Sequence, residues 1–215
     1  MLAIAHRCGN TIAGLRAALD AGVDLVEADV HAYRGRLEVR HLRSSGGLPL
    51  LWDKDTVVQR RHHPSLQLSD LIAALGDDHR LMIDLKGVHP RLAPSVAALL
   101  REATPDRALT VCTKAWWMLD VFQVPVRRVW SAGSRRGLAR LRERLRAGTR
   151  GPVHGVSVRR SLLLPHVVRE LHEATGLVMT WPVDTAEALA ESRALGVDAV
   201  ISKDLDLLGR VLAER

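Results

Sequence analysis

An alternation constrains this chain more than any single motif. Eight short β-rich runs recur along it: "LAIAH" (2–6), "LVEADV" (25–30), "LMIDLK" (81–86), "ALTVC" (108–112), "RRVWSA" (127–132), "HGVSV" (154–158), "LVMTW" (177–181) and "DAVIS" (198–202). Each is followed by a helical pattern: "TIAGLRAALDAG", "LSDLIAALG", "APSVAALLREA", "KAWWMLDVF", an arginine-rich stretch at 134–150, "LPHVVRELHEATG", "TAEALAESRALG" and "LDLLGRVLAE". Gly22, Gly76, Gly176 and Gly196 stand where a helix ends in a left-handed residue. Apolar strands alternating with helices imply a parallel sheet covered by helices. Eight units point to a closed α/β barrel, the (β/α)8 TIM barrel, and 215 residues leave room for short insertions only. The expected organisation is one domain over 1–215. No GxGxxG or GxxxxGK[ST] pattern follows a strand, which argues against a nucleotide-binding sheet.

Composition narrows the class. No run of eighteen apolar residues occurs, and the first residues lack a basic and then apolar leader, so a cytoplasmic location is the default expectation. Cys8 and Cys112 lack metal-ligand spacing and are expected to be reduced, packed thiols. The net charge of +7 owes much to the helix within 134–150, where Leu138, Leu141 and Leu145 share one face. It reads as a solvated basic helix, with at most peripheral contact to an anionic membrane. Nucleic-acid binding is not expected, because neither interleaved stacking aromatics nor a groove-reading motif is present.

A barrel of this kind works at the C-terminal ends of its strands, and polar residues gather there. Glu27, Asp29 and His31 lie two apart, so one strand turns all three to one face while Val26, Ala28 and Val30 turn to the other. Asp84 and Lys86 repeat the spacing on the next strand. Buried carboxylates need partners or a cation. Glu27, Asp29 and Asp84 therefore form either a cage for a hard divalent ion, Mg²⁺ or Ca²⁺ (Mn²⁺ also suits it), or an ion-pair network with Arg7 and Lys86. His6 ends the first strand, and His41 ends the extended piece "RGRLEVRH". His31 reads as supporting or structural, and His62 and His63 as solvated loop residues.

Together "AHRCGNT", "GVDLVEADV", the hairpin ending in His41, "LMIDLKG" and the tail "VMTWPVDTAEALAESRALGVDAVISKD" resemble the glycerophosphodiester phosphodiesterase family, in the family's order and over almost the whole chain. The resemblance implies a TIM barrel and a metal-dependent phosphodiesterase that releases glycerol phosphate and an alcohol. It implies His6 and His41 as the catalytic pair and Glu27, Asp29 and Asp84 as metal ligands. Arg7 and Lys86 become the basic groups at the phosphate, and Trp181 an aromatic beside the substrate. Three carboxylates around a divalent ion leave one negative charge; Arg7 and Lys86 reverse it, and a phosphodiester restores neutrality. The chain departs from the family in places. Cys8 and Gly9 replace the usual Pro-Glu, and the loop before His41 is one residue shorter. Leu42 stands where an aspartate usually follows the second histidine, removing a partner for its ring. Asp84 replaces the commoner Glu; an Asp-x-Lys pair also occurs in the related sphingomyelinase D-type phospholipases. Two other readings are a phospholipase D-like or lyase activity on lysophospholipids or sphingolipids, and a barrel that binds phosphate esters without cleaving them.

Overall fold

The computed structural model describes residues 1–44, 50–53, 65–123, 125–148 and 151–215, and the backbone of 56–60. The first unit is β1 (Leu2–Ala5) and α1 (Ile12–Asp20). The second begins with β2 (Leu25–Tyr33), which doubles back antiparallel as β3 (Arg36–Val39). A small separate sheet follows, made of β4 (Arg43–Ser44), β5 (Leu50–Asp53) and β6 (Thr56–Arg60), before α2 (Leu68–Leu75). Then come β7 (Leu81–Leu85) and α3 (Leu92–Ala103), β8 (Leu109–Thr113), and β9 (Val126–Ala132) with α4 (Arg135–Arg146). The last three units are β10 (Gly155–Arg159) and α5 (Pro165–Ala174), β11 (Val178–Trp181) and α6 (Ala186–Ala194), and β12 (Ala199–Ser202) and α7 (Leu205–Ala213).

The barrel strands β1, β2, β7, β8, β9, β10, β11 and β12 pair in parallel in that order, and β12 returns to β1. The eight expected runs are these eight strands. Period-two alternation then divides their side chains. Ile4, Leu25, Met82, Cys112, Val129, Met179 and Ile201 fill the barrel interior. Val26, Ala28, Val30 and their counterparts pack outward against the helices. Each fully buried Val, Leu or Ile contributes roughly 1.5–3 kcal/mol of transfer free energy, so this two-sided burial drives closure. Side-chain caps start four helices: Thr11, Ser134, Thr185 and Asp204 accept from the amides of Gly14, Gly137, Ala188 and Leu207 at 3.0–3.2 Å.

Three details differ from expectation. "KAWWMLDVF" forms a 3₁₀ helix at Trp116–Val121 in place of a fourth α-helix. Its buried Trp116 and Leu119 are three apart, the repeat of a 3₁₀ turn. The Trp116 indole also donates to the Ser131 carbonyl at 2.9 Å and stacks on Trp130, pinning the segment against β9. Gly22, Gly76 and Gly196 take positive φ, but Gly176 does not. There α5 ends at an extended Thr175, whose hydroxyl accepts from the Leu177 amide at 3.1 Å and closes the turn instead. Finally, beyond the expected hairpin of β2 and β3, the connection to α2 also carries β4 to β6.

Arg80 ties the bottom of the barrel together. Its guanidinium holds the Asp78 carboxylate at 2.7–3.1 Å and donates to the carbonyls of Leu19 and Val23 at 3.3 and 3.2 Å. Arg80→Ala is expected to cost about 1–2 kcal/mol near neutral pH, discounted toward the lower figure because the pair is partly solvated. Hydrogen bonds from Arg80 hold the Asp78 carboxyl below its ordinary range. The carboxylate's share is therefore present above its unfolded pKa and is lost as pH falls through the folded value. Urea unfolding of both proteins at about pH 7 and about pH 2.5 should show the gap narrowing in acid; a gap of constant size would show that Asp78 takes no part.

Candidate active site

The polar residues sit one step above the aliphatic plug, on the inward parity of the same strands. A cavity of about 630 Å³ opens there, lined by His6, Arg7, Glu27, His41, Asp84, Lys86 and Trp181 among others. All eight site residues expected from the sequence converge on this mouth, with Asp29 buried directly behind Glu27 and His41.

The first turn after β1 is built for close approach. A Cβ at Gly9 would lie 2.8 Å from the Ala28 Cβ and 2.9 Å from the Glu27 carbonyl oxygen. Glycine thus lets the Cys8–Asn10 turn lie directly on β2. This contact brings Asn10 to Asp29, a pairing the sequence reading did not assign. The Asn10 amide donates to Asp29 Oδ2 at 2.9 Å, and its carbonyl oxygen accepts from the Asp29 backbone N–H at 2.8 Å. Arg7, at φ 60°, donates its own backbone N–H to Glu27 Oε2 at 2.7 Å. Its Nε stands 3.8 Å from Asp29 Oδ2.

Carboxylate oxygens of Glu27, Asp29 and Asp84 all lie within 4.8 Å of one another. The Lys86 ammonium stands among them, in contact with Asp84, 2.6 Å from Asp29 Oδ1 and 3.7 Å from Glu27 Oε1. Both alternatives raised by the sequence therefore meet in one place: an ion-pair network whose centre is a cation position. Burial and the charge of Asp29 push the Glu27 carboxyl well above its usual range, and burial raises Asp84 despite Lys86. Burial works against ionised Asp29 too, but the hydrogen bond with His41, the Lys86 charge and Asn10 outweigh it and hold its pKa down. For Lys86, three carboxylates overcome desolvation and raise its pKa. The raised Glu27 and Asp84 carboxyls mark a desolvated, mutually repelling set that one ammonium does not relieve, and its donors are all hard oxygens. Such a set fits a divalent Mg²⁺ or Ca²⁺.

The two histidines approach different acids of this cage. His6 Nε2 is 4.0 Å from Glu27 Oε2. Burial and then the Arg7 charge lower its pKa to about 4, and its buried Nδ1 has no hydrogen-bond partner among the described residues. His41 Nδ1 lies 3.2 Å from Asp29 Oδ2 and Nε2 lies 3.4 Å from Asp53 Oδ1. Leu42 removes one possible partner of the His41 ring, but Asp29 and Asp53 each face one of its nitrogens. Asp53 carried no signal in the sequence, since the small sheet folding over the mouth brings it there. His31 lines the cavity beside them, its pKa lowered to about 3 by burial and the Arg40 charge. His62 and His63 lie outside the described residues. Neither cysteine is in a disulfide, and the Cys112 thiol inside the barrel is pushed well up by burial and then by Asp84, which keeps it protonated and inert.

On the opposite wall Trp181 ends β11, and Lys114, assigned from sequence to a helix, lies over its ring. Arg43 and Trp52 of the small sheet complete the rim.

Comparison with solved structures shows what this barrel is similar to. A phosphodiesterase from Oleispira antarctica, in complex with the product sn-glycerol-3-phosphate, superposes with a TM-score of 0.75 at 17% identity, over 99% of this chain and 97% of that one. The fold is that of the glycerophosphodiester phosphodiesterases. Enzymes of that name from Thermotoga maritima (TM-score 0.74, 16% identity, 98% of each chain) and Parabacteroides distasonis (0.73, 18%, 100% of this chain and 97% of that one) share it as well. No protein-family model and no curated protein matches the sequence. Among the described residues no helix is long and apolar enough to cross a membrane.

Proposed function

We propose that the protein hydrolyses glycerophosphodiesters to glycerol phosphate and an alcohol, with a divalent cation held by Glu27, Asp29 and Asp84. One observation carries the reading: two imidazoles, three carboxylates and two basic groups converge on one rim of a barrel shared with phosphodiesterases. The Oleispira antarctica protein, bound to sn-glycerol-3-phosphate, supports a substrate of that class.

The chemistry follows from charge. A phosphodiester is already an anion and repels a nucleophile until its charge is balanced; Arg7 and Lys86 face the site from β1 and β7 to do this. Mg²⁺ or Ca²⁺ in the carboxylate cage, or Mn²⁺ in their place, supplies polarisation of a phosphoryl oxygen. The departing alkoxide is too basic to leave unprotonated near neutral pH, and the attacking water (or a neighbouring substrate hydroxyl, forming a cyclic phosphate that water then opens) must lose its proton. His6 and His41 divide these two transfers, since an imidazole nitrogen can accept a proton or donate one. Asn10 holds Asp29, and Asp29 with Asp53 holds the His41 ring. Trp181 packs beside the substrate.

Incubation with a panel of glycerophosphodiesters, with product identification and with or without chelator, tests the proposal. Glycerol phosphate and free alcohol should form, and chelator should stop them. Calorimetric binding without turnover in Mg²⁺, Mn²⁺ and Ca²⁺ would make this a binding barrel. Faster headgroup release from lysophospholipids than from their deacylated counterparts would favour the phospholipase D-like or lyase reading.

A further inference from the structure

Besides Arg7 and Lys86 the cavity has a further lysine that the mechanism above does not use, and this inference rests on that mechanism. Lys114 leaves the end of β8, while Trp181 closes β11 across the mouth. The Lys114 ammonium lies 4.9 Å from the centroid of the Trp181 ring. Gly133, just beyond β9, makes room for this arrangement. A Cβ there would stand 3.2 Å from both Cε and Nζ of Lys114 and 3.1 Å from Cη2 of Trp181. Lys114 makes no ion pair among the described residues, whereas Lys86 is surrounded by three carboxylates. Both lysines line the same cavity as Asp84, so Lys114 belongs to the same site.

An exposed aromatic face at a headgroup site would attract a quaternary ammonium. Here that face is already covered by a like charge, which repels one instead. Arg43 adds a further positive charge to the rim. We propose that Lys114 on Trp181 forms a subsite for an anionic group. The preferred substrate is then a glycerophosphodiester whose second alcohol carries a further phosphate or carboxylate, and choline and ethanolamine esters are poor ones.

The test compares kcat/KM for 1,3-bis(glycerophospho)glycerol and glycerophosphocholine in the wild type, Lys114→Gln and Lys114→Glu. Because each variant is scored by its own substrate ratio, a loss of folded protein cancels. The wild type should favour the bis-phosphodiester by about tenfold or more, Lys114→Gln should shrink the ratio, and Lys114→Glu should invert it. Equal or better turnover of glycerophosphocholine by the wild type, or a ratio within about twofold of wild type in Lys114→Glu, would overturn the proposal. Calorimetric binding of the two diesters reads the same preference without turnover. Charge-selective binding with no hydrolysis would sink the proposed activity and leave this subsite standing; hydrolysis with no charge preference would do the reverse.

Discussion

His6→Ala and His41→Ala are each expected to lower kcat by about 10²–10⁴-fold, the usual worth of a positioned general acid or base. The fold should survive both. His6 Nδ1 has no hydrogen-bond partner among the described residues, so truncation removes little binding energy inside the protein. His41 gives up its contact with Asp29, but Asp29 keeps Asn10 and Lys86. The double variant should be little slower than the worse single one, because residues that act as one unit are not additive. Single-turnover rates together with thermal melts separate chemistry from folding. Near-wild-type turnover by either single variant would end the case for a histidine pair.

The second large effect concerns the cage. Millimolar Mg²⁺, Ca²⁺ or Mn²⁺ is expected to raise the melting temperature of the wild type, and chelator to reverse it. At a hundredfold excess over Kd a ligand stabilises by about 2.7 kcal/mol, which in a chain of this size is roughly 5–10 °C. Glu27→Gln keeps an oxygen acceptor for the Arg7 amide but removes one of the three charges. It should abolish the metal-induced rise and the activity together. Without metal it should melt no lower than the wild type, since three carboxylates within 4.8 Å share one ammonium and repel each other. An undiminished rise in Glu27→Gln would place the cation elsewhere, and a large metal-free loss would make Glu27 a structural partner of Lys86.

Much of this site was legible before the fold. Two-residue spacing put Glu27 with Asp29 and Asp84 with Lys86 on one face each, and the inward parity of Ile4 and Met82 shows why those faces meet inside the barrel. His6 and His41 could be placed at the ends of extended runs because each follows an apolar stretch. Asn10, Asp53 and Lys114 could not. Asn10 depends on a turn lying against β2, Asp53 on how a separate small sheet drapes over the mouth, and Lys114 on a side chain crossing to a strand three positions away.

The sequence by itself determined the eight strands, their inward and outward faces, and the pairing of acid with base at their ends. These are consequences of local periodicity, which a residue's near neighbours settle. Only the tertiary structure decided that Lys86 stands at the centre of the three carboxylates, that Asp53 faces His41, and that Lys114 covers Trp181. Those contacts join separate elements, β2 with β7, β8 with β11 and the small sheet with the mouth, and they come into existence only when those elements pack together.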